Sequence, residues 1–468
     1  MTGDKKLIAQ IDALFHPRSV AVVGVPLGMK MGRLFLMALL EMNFPGPIYP
    51  VNPKATEIDG LKCYPSVAAI DGDVDLAIVL VPQAAALEVI EQCAAKGVKG
   101  AVLFTAGGRE LGTEEGRELE RSLVRTARAA GMRLLGPNCM GLYAPASGLS
   151  FFPGLSPTPG PTGVISHSGS LVNILGRVSQ DLGITFSKVA SLGNEGDLCA
   201  ADLMTYLGRD RETDLIAAYL EDIKEGPRFL EAVREASLRK PVILWKVGLT
   251  AQGGRAAASH TGALAARRDV WNGVVRQTGV IPVTGFEEWV DTMMAFNLLP
   301  RRVGRRIAVV SGPGGLAVAA AEAVGENGFE LAELTERTKN ELADIVPPTG
   351  TSLKNPIDVG LTASFDAAIY VGAVRAAASD PNVDALVVLG VGLTPEANQE
   401  FRQGVIDAQR RSQKPFLMVN IPGHNPEFGR EFRNAGLPFF ESAERAMAAF
   451  RRVSEHHAWQ AAQISENS

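Results

Sequence analysis

Three times along this chain a short aliphatic run breaks into a turn of glycines and small polar residues, and a helical pattern follows. The three runs are Val22-Val23-Gly24-Val25-Pro26-Leu27-Gly28-Met29-Lys30-Met31-Gly32, Ile165-Ser166-His167-Ser168-Gly169-Ser170-Leu171 and Val310-Ser311-Gly312-Pro313-Gly314-Gly315-Leu316. Apolar runs of strand length, alternating from end to end with amphipathic helical patterns, specify parallel sheets covered by helices on both faces. The fold class is therefore α/β, with doubly wound parallel sheets. A chain of 468 residues exceeds what one core holds, and about three domains are expected.

The expected strands of the first region are 20–23, 48–51, 76–81, 101–104 and 133–135, with helices over 33–42, 84–95 and 114–130. A proline- and glycine-rich segment, 153–161, reads as a linker. The second region has strands at 163–165, 188–191, 215–219 and 242–245 and ends near Leu299-Pro300. Arg301-Arg302-Val303-Gly304-Arg305-Arg306 reads as a second linker. Strands at 307–310, 385–389 and 416–419 belong to the third region, and a short polar tail follows from His456. The expected domains are thus 1–150, 162–300 and 305–455.

Composition removes several function classes. Apolar residues at 46% and charged residues at 21% describe an ordinary soluble protein. A net charge of -5 without a lysine or arginine block argues against nucleic acid as a partner. Cys63, Cys93, Cys139 and Cys199 never fall in Cys-x-x-Cys spacing, so no metal site or redox pair is expected, and they read as buried thiols in a reducing cytosol. No apolar segment of signal-peptide type follows Met1, and no run is long enough to cross a membrane. A cytoplasmic location is expected.

The glycine turns point to anion chemistry, because a strand-to-helix turn aims backbone N–H groups and a helix N-terminus at one spot. The first turn lacks Gly-x-Gly-x-x-Gly spacing and Pro26 removes a donor, which disfavours a dinucleotide. A pyrophosphate-bearing ligand and a bare tight turn both remain compatible with it. In the second, Ser168, Gly169 and Ser170 either cap a helix or hold a phosphate. His167 either contacts the same anion or is a polar neighbour. Gly312, Gly314 and Gly315 repeat the shape, and two such helix N-termini from adjacent domains are expected to converge on one phosphate.

His260 is the candidate nucleophile. It lies in Ala256-Ala257-Ala258-Ser259-His260-Thr261-Gly262-Ala263, behind an equally slight segment, 247–255. Such small residues bury little apolar area, so a mobile loop is expected. A neutral imidazole nitrogen accepts a phosphoryl group, and a carrier that travels between two sites needs such a loop. The alternative is that Ser259 or Thr261 caps a helix after Gly262, with His260 a passenger. Glu221, just beyond the strand 215–220, is placed where α/β proteins build sites. A carboxylate there fixes an imidazole's tautomer and leaves its other nitrogen nucleophilic; otherwise it is an exposed acid.

Taken together, these features resemble the α subunit of the NDP-forming acyl-CoA synthetases, also called ADP-forming acetate–CoA ligases, relatives of succinyl-CoA synthetase. The similarity runs from about Leu14 to Arg452. It is strongest at Tyr49-Pro50-Val51-Asn52-Pro53-Lys54, Leu135-Gly136-Pro137-Asn138-Cys139-Met140-Gly141, Ser166-His167-Ser168-Gly169-Ser170 and Ser259-His260-Thr261-Gly262-Ala263-Leu264. The resemblance implies a Rossmann-like CoA-binding domain followed by two flavodoxin-like ligase domains. It implies CoA contacts at Gly24, Gly28, Gly32, Lys54, Val81, Pro82, Pro137 and Asn138, a phosphohistidine at His260 and a supporting glutamate at Glu221. Phosphate would be held by Ser168, Gly169, Ser170, Gly312, Gly314 and Gly315.

The implied reaction converts a carboxylic acid, CoA and ATP to acyl-CoA, ADP and phosphate, reversibly, through an acyl phosphate and phospho-His260. CoA is a substrate, and ATP/ADP with Mg²⁺ would sit on a separate ATP-grasp β subunit in a hetero-oligomer. The chain departs from the family pattern at three sites: Val25-Pro26-Leu27, His167 where glutamine is more usual, and Pro313. The acyl group is expected near Asn355-Pro356-Ile357-Asp358-Val359-Gly360. Two rival readings are a CoA-sensing regulatory protein without catalysis and a dinucleotide-dependent oxidoreductase.

Overall fold

The computed structural model describes residues 3–261, 266–300, 304–423 and 427–466, without the side chains of 3, 258–261, 464 and 466. The chain divides into two compact units, Met1–Gln180 with Ile184–Gly285, and Asp181–Gly183 with Phe286–Ser468.

The first unit holds two sheets. After helix α1 (Gly3–Phe15), strand β1 (Val20–Val23), helix α2 (Met31–Glu41) and strand β2 (Ile48–Val51) form the first crossover. A small antiparallel ribbon, β3 (Glu57–Ile58) with β4 (Leu61–Lys62), precedes β5 (Leu76–Val79). Helix α3 (Gln83–Lys96), β6 (Gly100–Leu103), α4 (Glu114–Ala129) and β7 (Arg133–Leu135) complete the layer. The five strands lie in the order β2-β1-β5-β6-β7, all parallel. All residues of β1, β5 and β6 are buried, as runs of Val, Ile, Leu and Ala covered on two faces must be. The helices end where the sequence punctuates them: Thr113 Oγ1 accepts the Gly116 amide at the start of α4, and Gly97 adopts φ +77 to close α3.

The second sheet begins with β8 (Gly141–Tyr143), β9 (Pro159–Ser166), α5 (Gly169–Val178) and β10 (Phe186–Ser191). It continues with α6 (Ala200–Arg209), β11 (Leu215–Leu220), α7 (Gly226–Arg239) and β12 (Val242–Lys246), then α8 (Ala251–Thr261), α9 (Arg268–Thr278) and β13 (Ile281–Val283). Its order is β13-β12-β11-β9-β10-β8, parallel except for the antiparallel edge strand β8. The expected linker 153–161 gives its last three residues to β9. Pro159, Gly160 and Pro161 are tolerated because they form the overhanging start of the strand, and pairing to β10 and β11 begins at Thr162.

In the second unit, α10 (Phe286–Leu298) precedes β14 (Arg306–Ser311), α11 (Gly314–Glu326) and β15 (Glu330–Leu331). There follow α12 (Glu336–Ile345), β16 (Ile357–Asp358), α13 (Ala367–Ser379), β17 (Ala385–Leu389) and α14 (Pro395–Ser412). The unit closes with β18 (Phe416–Val419), α15 (Glu427–Asn434), β19 (Phe439–Phe440) and α16 (Ala443–Glu466). The parallel order is β15-β14-β17-β18-β19, with β16 on the far end of the β14 edge that β15 also uses. The expected second linker yields Arg306 to β14. The tail expected from His456 is instead the continuation of α16, and His456 is buried. Among the described residues no helix is long and apolar enough to cross a membrane.

The strand orders fix where sites lie. In each sheet the chain turns to opposite sides after one central strand: between β1 and β5, between β9 and β11, and between β14 and β17. Ligands of open α/β sheets bind beyond the strand ends at such switch points. The three glycine turns of the sequence follow β1, β9 and β14, so each sits at its sheet's switch point.

The opposite end of the first sheet is tied by a buried carboxylate. Asp75 accepts from the Arg18 amide and Nε, both at 3.0 Å, and lies 2.8 Å from Lys99 Nζ. Burial raises its pKa, but the hydrogen bonds from Arg18 and Lys99 outweigh this and bring it down to about 2. A carboxylate lowered on folding stabilises the protein above its usual pKa near 4, and that contribution is lost as pH falls towards 2. Asp75→Asn is expected to cost about 1–2 kcal/mol at pH 7, discounted for the exposed partners, nearly the same at pH 5 and clearly less at pH 3. Melting curves at pH 7, 5 and 3 measure this; an equal cost at all three values would remove the charge from the explanation.

Candidate functional site

The turn after β1 owes its shape to one glycine. Gly24 has φ +92, and a Cβ there would lie 2.9 Å from Val81 Cγ1. The backbones after β1 and β5 therefore approach as closely as glycine allows. The next residues, Leu27, Gly28 and Met29, are exposed. Gly28 has open space around it, so no neighbour demands a glycine there, while a Cβ on Gly32 would meet Pro26 at 3.2 Å. Two residues outside the sequence-based set brace this turn. Asn52 Nδ2 donates to the Val25 carbonyl at 2.7 Å, and its Oδ1 accepts the Lys54 amide at 2.8 Å. Arg33 donates to the carbonyls of Pro26 and Leu27 and pairs with Asp59. Lys54 itself is exposed beside the turn.

Beyond β7 the chain runs through a cis Gly136-Pro137 bond and then Asn138, whose φ is +57. The Asn138 amide donates to the Thr105 carbonyl at 3.0 Å. These residues bring the two sheets of the first unit to one cleft of about 510 Å³. Its walls include Val81, Pro82, Thr105, Asn138, Gly169 and Ser170. Residues assigned separately to CoA and to phosphate therefore line the same cavity.

At the mouth of α5 the capping alternative is realised. Ser168 Oγ accepts the Leu171 amide at 3.2 Å and lies 3.1 Å from Ser170 Oγ. This still leaves the amides of Gly169 and Ser170, which a helix cannot partner internally, at the cleft. A Cβ on Gly169 would strike Met140 Cβ at 2.9 Å. Capping and anion binding are thus compatible at this turn.

Glu221 is buried at the end of β11. Tyr219 Oη donates to its Oε1 at 3.2 Å, and Lys246 Nζ donates to its carbonyl at 2.9 Å. Burial lowers the Lys246 pKa from the ordinary lysine value. The expectation of an exposed acid is therefore excluded. His167 does not face an anion site either. It is buried, its Nδ1 accepts the Glu221 amide at 3.0 Å, and its Nε2 is 3.2 Å from Glu195 Oε1. Burial raises the Glu195 pKa, but the neighbouring His167 ring, the charge of Lys224 and the Ala200 amide outweigh it and hold the carboxyl below its ordinary value. Lys224 donates to the carbonyls of Asn194 and Glu195, and burial, reinforced by the charge of Arg109, pushes it down to about 8.

His260 corrects one expectation. Its backbone belongs to α8, not to a loop. Thr250 starts the helix by accepting the Gly253 amide on Oγ1 and the Gly254 amide on its carbonyl. Alanine at 251, 256, 257 and 258 then offsets the two glycines, because small side chains include the best helix former as well as the worst of the common ones. The side chains of Ser259, His260 and Thr261, and all of 262–265, lie outside the described residues.

In the second unit, α11 opens at the same kind of turn. Pro313 is its N-cap and offers no side-chain cap, so the amides of Gly314 and Gly315 begin the helix. A Cβ on Gly314 would meet Asp358 Oδ2 at 2.5 Å, whereas Gly315 is open. The Gly312 amide is aimed at the Leu389 carbonyl, 3.4 Å away, and a Cβ there would meet Tyr370 Oη at 2.6 Å. Its role is close packing within the turn. Asn355, expected near the acyl group, spends its side chain on main chain: Oδ1 accepts the Val309 amide, and Nδ2 donates to Ile307 and Ala332 carbonyls. The four cysteines are buried, and burial pushes Cys93, Cys139 and Cys199 up to about 12, as inert structural thiols require.

Comparison with known proteins agrees with this layout. A CoA binding domain matches residues 18–145, a succinyl-CoA ligase like flavodoxin domain residues 159–296, and a ligase-CoA domain residues 307–412. The α subunits of Pyrococcus furiosus acetate–CoA ligases [ADP-forming] II and I are each 36% identical to the chain. The alignments cover 94% and 96% of this chain and 96% and 98% of those subunits. The solved acetyl-coenzyme A synthetase 1 of Candidatus Korarchaeum cryptofilum, in complex with phosphate and ADP, superimposes with a TM-score of 0.86 at 33% identity. It covers 98% of this chain and 99% of that one. The chain belongs to the family of α subunits of ADP-forming acetate–CoA ligases.

Proposed function

We propose that this chain is the CoA-binding, phosphohistidine-carrying subunit of an ADP-forming acyl-CoA synthetase, divided into a CoA-binding domain, 1–150, and two ligase domains, 162–300 and 305–455. In the direction of ATP formation, phosphate displaces CoA from acyl-CoA, giving an acyl phosphate and free thiol. An imidazole nitrogen of His260 then takes the phosphoryl group and releases the carboxylate, and phospho-His260 passes the group to a nucleoside diphosphate. The cleft beyond the first two sheets carries the reading. It places Val81, Pro82 and Asn138, proposed for CoA with Gly24, Gly28, Gly32, Lys54 and Pro137, beside Gly169 and Ser170, proposed with Ser168 for phosphate. The mouth of α11 at Gly312, Gly314 and Gly315 is proposed as a second phosphate-binding turn, with Gly314 and Gly315 supplying its amides.

CoA is the ligand of the first turn, and ATP/ADP with Mg²⁺ is assigned to an ATP-grasp partner in a cytoplasmic hetero-oligomer. Family membership and the absence of dinucleotide spacing at Gly24-Val25-Pro26-Leu27-Gly28 place this reading ahead of the regulatory and oxidoreductase ones. The test combines two measurements. Calorimetry on the purified chain is expected to detect CoA and no NAD. Acid-dependent ADP formation with CoA is expected to be absent until an ATP-grasp subunit is added. Tight NAD binding without CoA, or full turnover by the chain alone, would each overturn the assignment.

A further inference from the structure

The Ser166–Ser168 turn does more than open α5. His167 stands in it with Nδ1 hydrogen-bonded and Nε2 close to Glu195 but not aligned for a hydrogen bond. Its own amide donates to the Tyr219 carbonyl at 3.1 Å, which seats the ring against the end of β11. Nδ1 accepts the Glu221 amide at 3.0 Å and, less closely, the Asp222 amide at 3.4 Å. A nitrogen that accepts from an amide carries no proton, so the ring proton is on Nε2, facing Glu195 Oε1 at 3.2 Å.

Glu195 is itself fixed. Its φ of +51 lies in the left-handed region that a residue with a side chain seldom adopts. Its Oε1 also accepts the Ala200 amide at 2.6 Å, at the start of α6, and Lys224 holds its carbonyl. The chain of contacts therefore runs from the N-terminus of α6 through Glu195 and the imidazole to the backbone of Glu221. Lys246 clamps the carbonyl side of the same residue. One side chain thus belongs to the proposed phosphate turn and simultaneously holds the backbone of the residue proposed as the supporting acid.

We infer that His167 is a positioning residue for phosphoryl transfer: through Nδ1 it fixes the backbone of Glu221, and hence the aim of that carboxylate, relative to the helix mouth at Ser168–Ser170. The inference rests on the reading of Glu221 as the acid behind His260. Asparagine offers an acceptor oxygen near the position of Nδ1, whereas leucine, its near-isostere, offers none. His167 does not line the CoA cleft.

The test uses the full chain with its partner subunit, ATP and Mg²⁺, and follows formation of the phosphoenzyme by rapid quench beside CoA affinity by calorimetry. His167→Asn is expected to stay within about threefold of wild type. His167→Leu is expected to phosphorylate at least about tenfold more slowly with unchanged CoA affinity. Combined with Glu221→Gln, His167→Leu is expected to add no further loss, because two changes acting through one group are not additive.

A folded His167→Leu protein with the wild-type rate overturns the inference, as does a multiplicative loss in the double variant. Should His167→Leu fail to fold, ¹⁵N-histidine spectra of the wild type decide instead. The signal removed by His167→Asn must show the Nε2–H tautomer, and an Nδ1–H tautomer overturns the inference. A wild type that takes no phosphate on His260 instead refutes the functional reading on which the inference stands.

Discussion

With a partner subunit, ATP and Mg²⁺, the wild-type chain is expected to gain one phosphate, and His260→Ala to gain none. The bond should be acid-labile and base-stable, as a phosphorus–nitrogen bond to imidazole is, and intact-mass spectra before and after mild acid read it directly. Turnover in His260→Ala should fall by at least about 10⁴-fold, the scale seen when a covalent nucleophile is removed. The proposed phosphate turn at α5 favours a transient phosphate over a stable one. The α5 mouth contributes about 1 kcal/mol towards an anion, enough to hold the group in register and too little to trap it. Asn138, proposed for CoA, and Gly169, proposed for phosphate, line one cleft at that mouth. Full labelling of His260→Ala would put the phosphate on another residue and remove the carrier role from this helix.

Fold class was legible because fully buried strands of a parallel sheet must be continuous apolar runs. The runs at 20–23, 48–51 and 133–135 match β1, β2 and β7 residue for residue. Four short strands were not legible: β8, β15, β16 and β19 are two or three residues long and owe their existence to the neighbour they pair with. At the site, glycine turns were visible because glycine at φ +92 in Gly24 leaves a mark that any ligand-free reading of the chain detects. Side chains that act through hydrogen bonds to distant backbone left no such mark. His167 and Glu195 are 28 residues apart and meet only because β9 and β10 are adjacent. The error at α8 has a physical cause too. Small side chains signal little burial and so suggest a loop, but four alanines behind a threonine cap also satisfy the helix.

Glu221→Gln separates a carboxylate that acts by its charge from one that acts by its shape. Glutamine keeps the length and can still accept from Tyr219 Oη, and the backbone contacts to His167 and Lys246 involve no side-chain atom of residue 221. The structural cost should therefore be slight. On the proposed reading, what disappears is a negative charge that supports the His260 imidazole as it turns positive on taking the phosphoryl group. A charge pair at about 4 Å is worth about 4 kcal/mol at an effective dielectric of 20, and the amide dipole recovers part of it. Phosphorylation is accordingly expected to slow on the order of 10²-fold, while CoA affinity stays within about twofold because Glu221 is not a wall of the cleft. Rapid-quench phosphorylation and calorimetry on the same preparation give both numbers. Equal rates would assign Glu221 a packing role. Parallel loss of CoA binding would mean that the substitution disturbs the sheet edge as a whole, and the charge argument would fall with it.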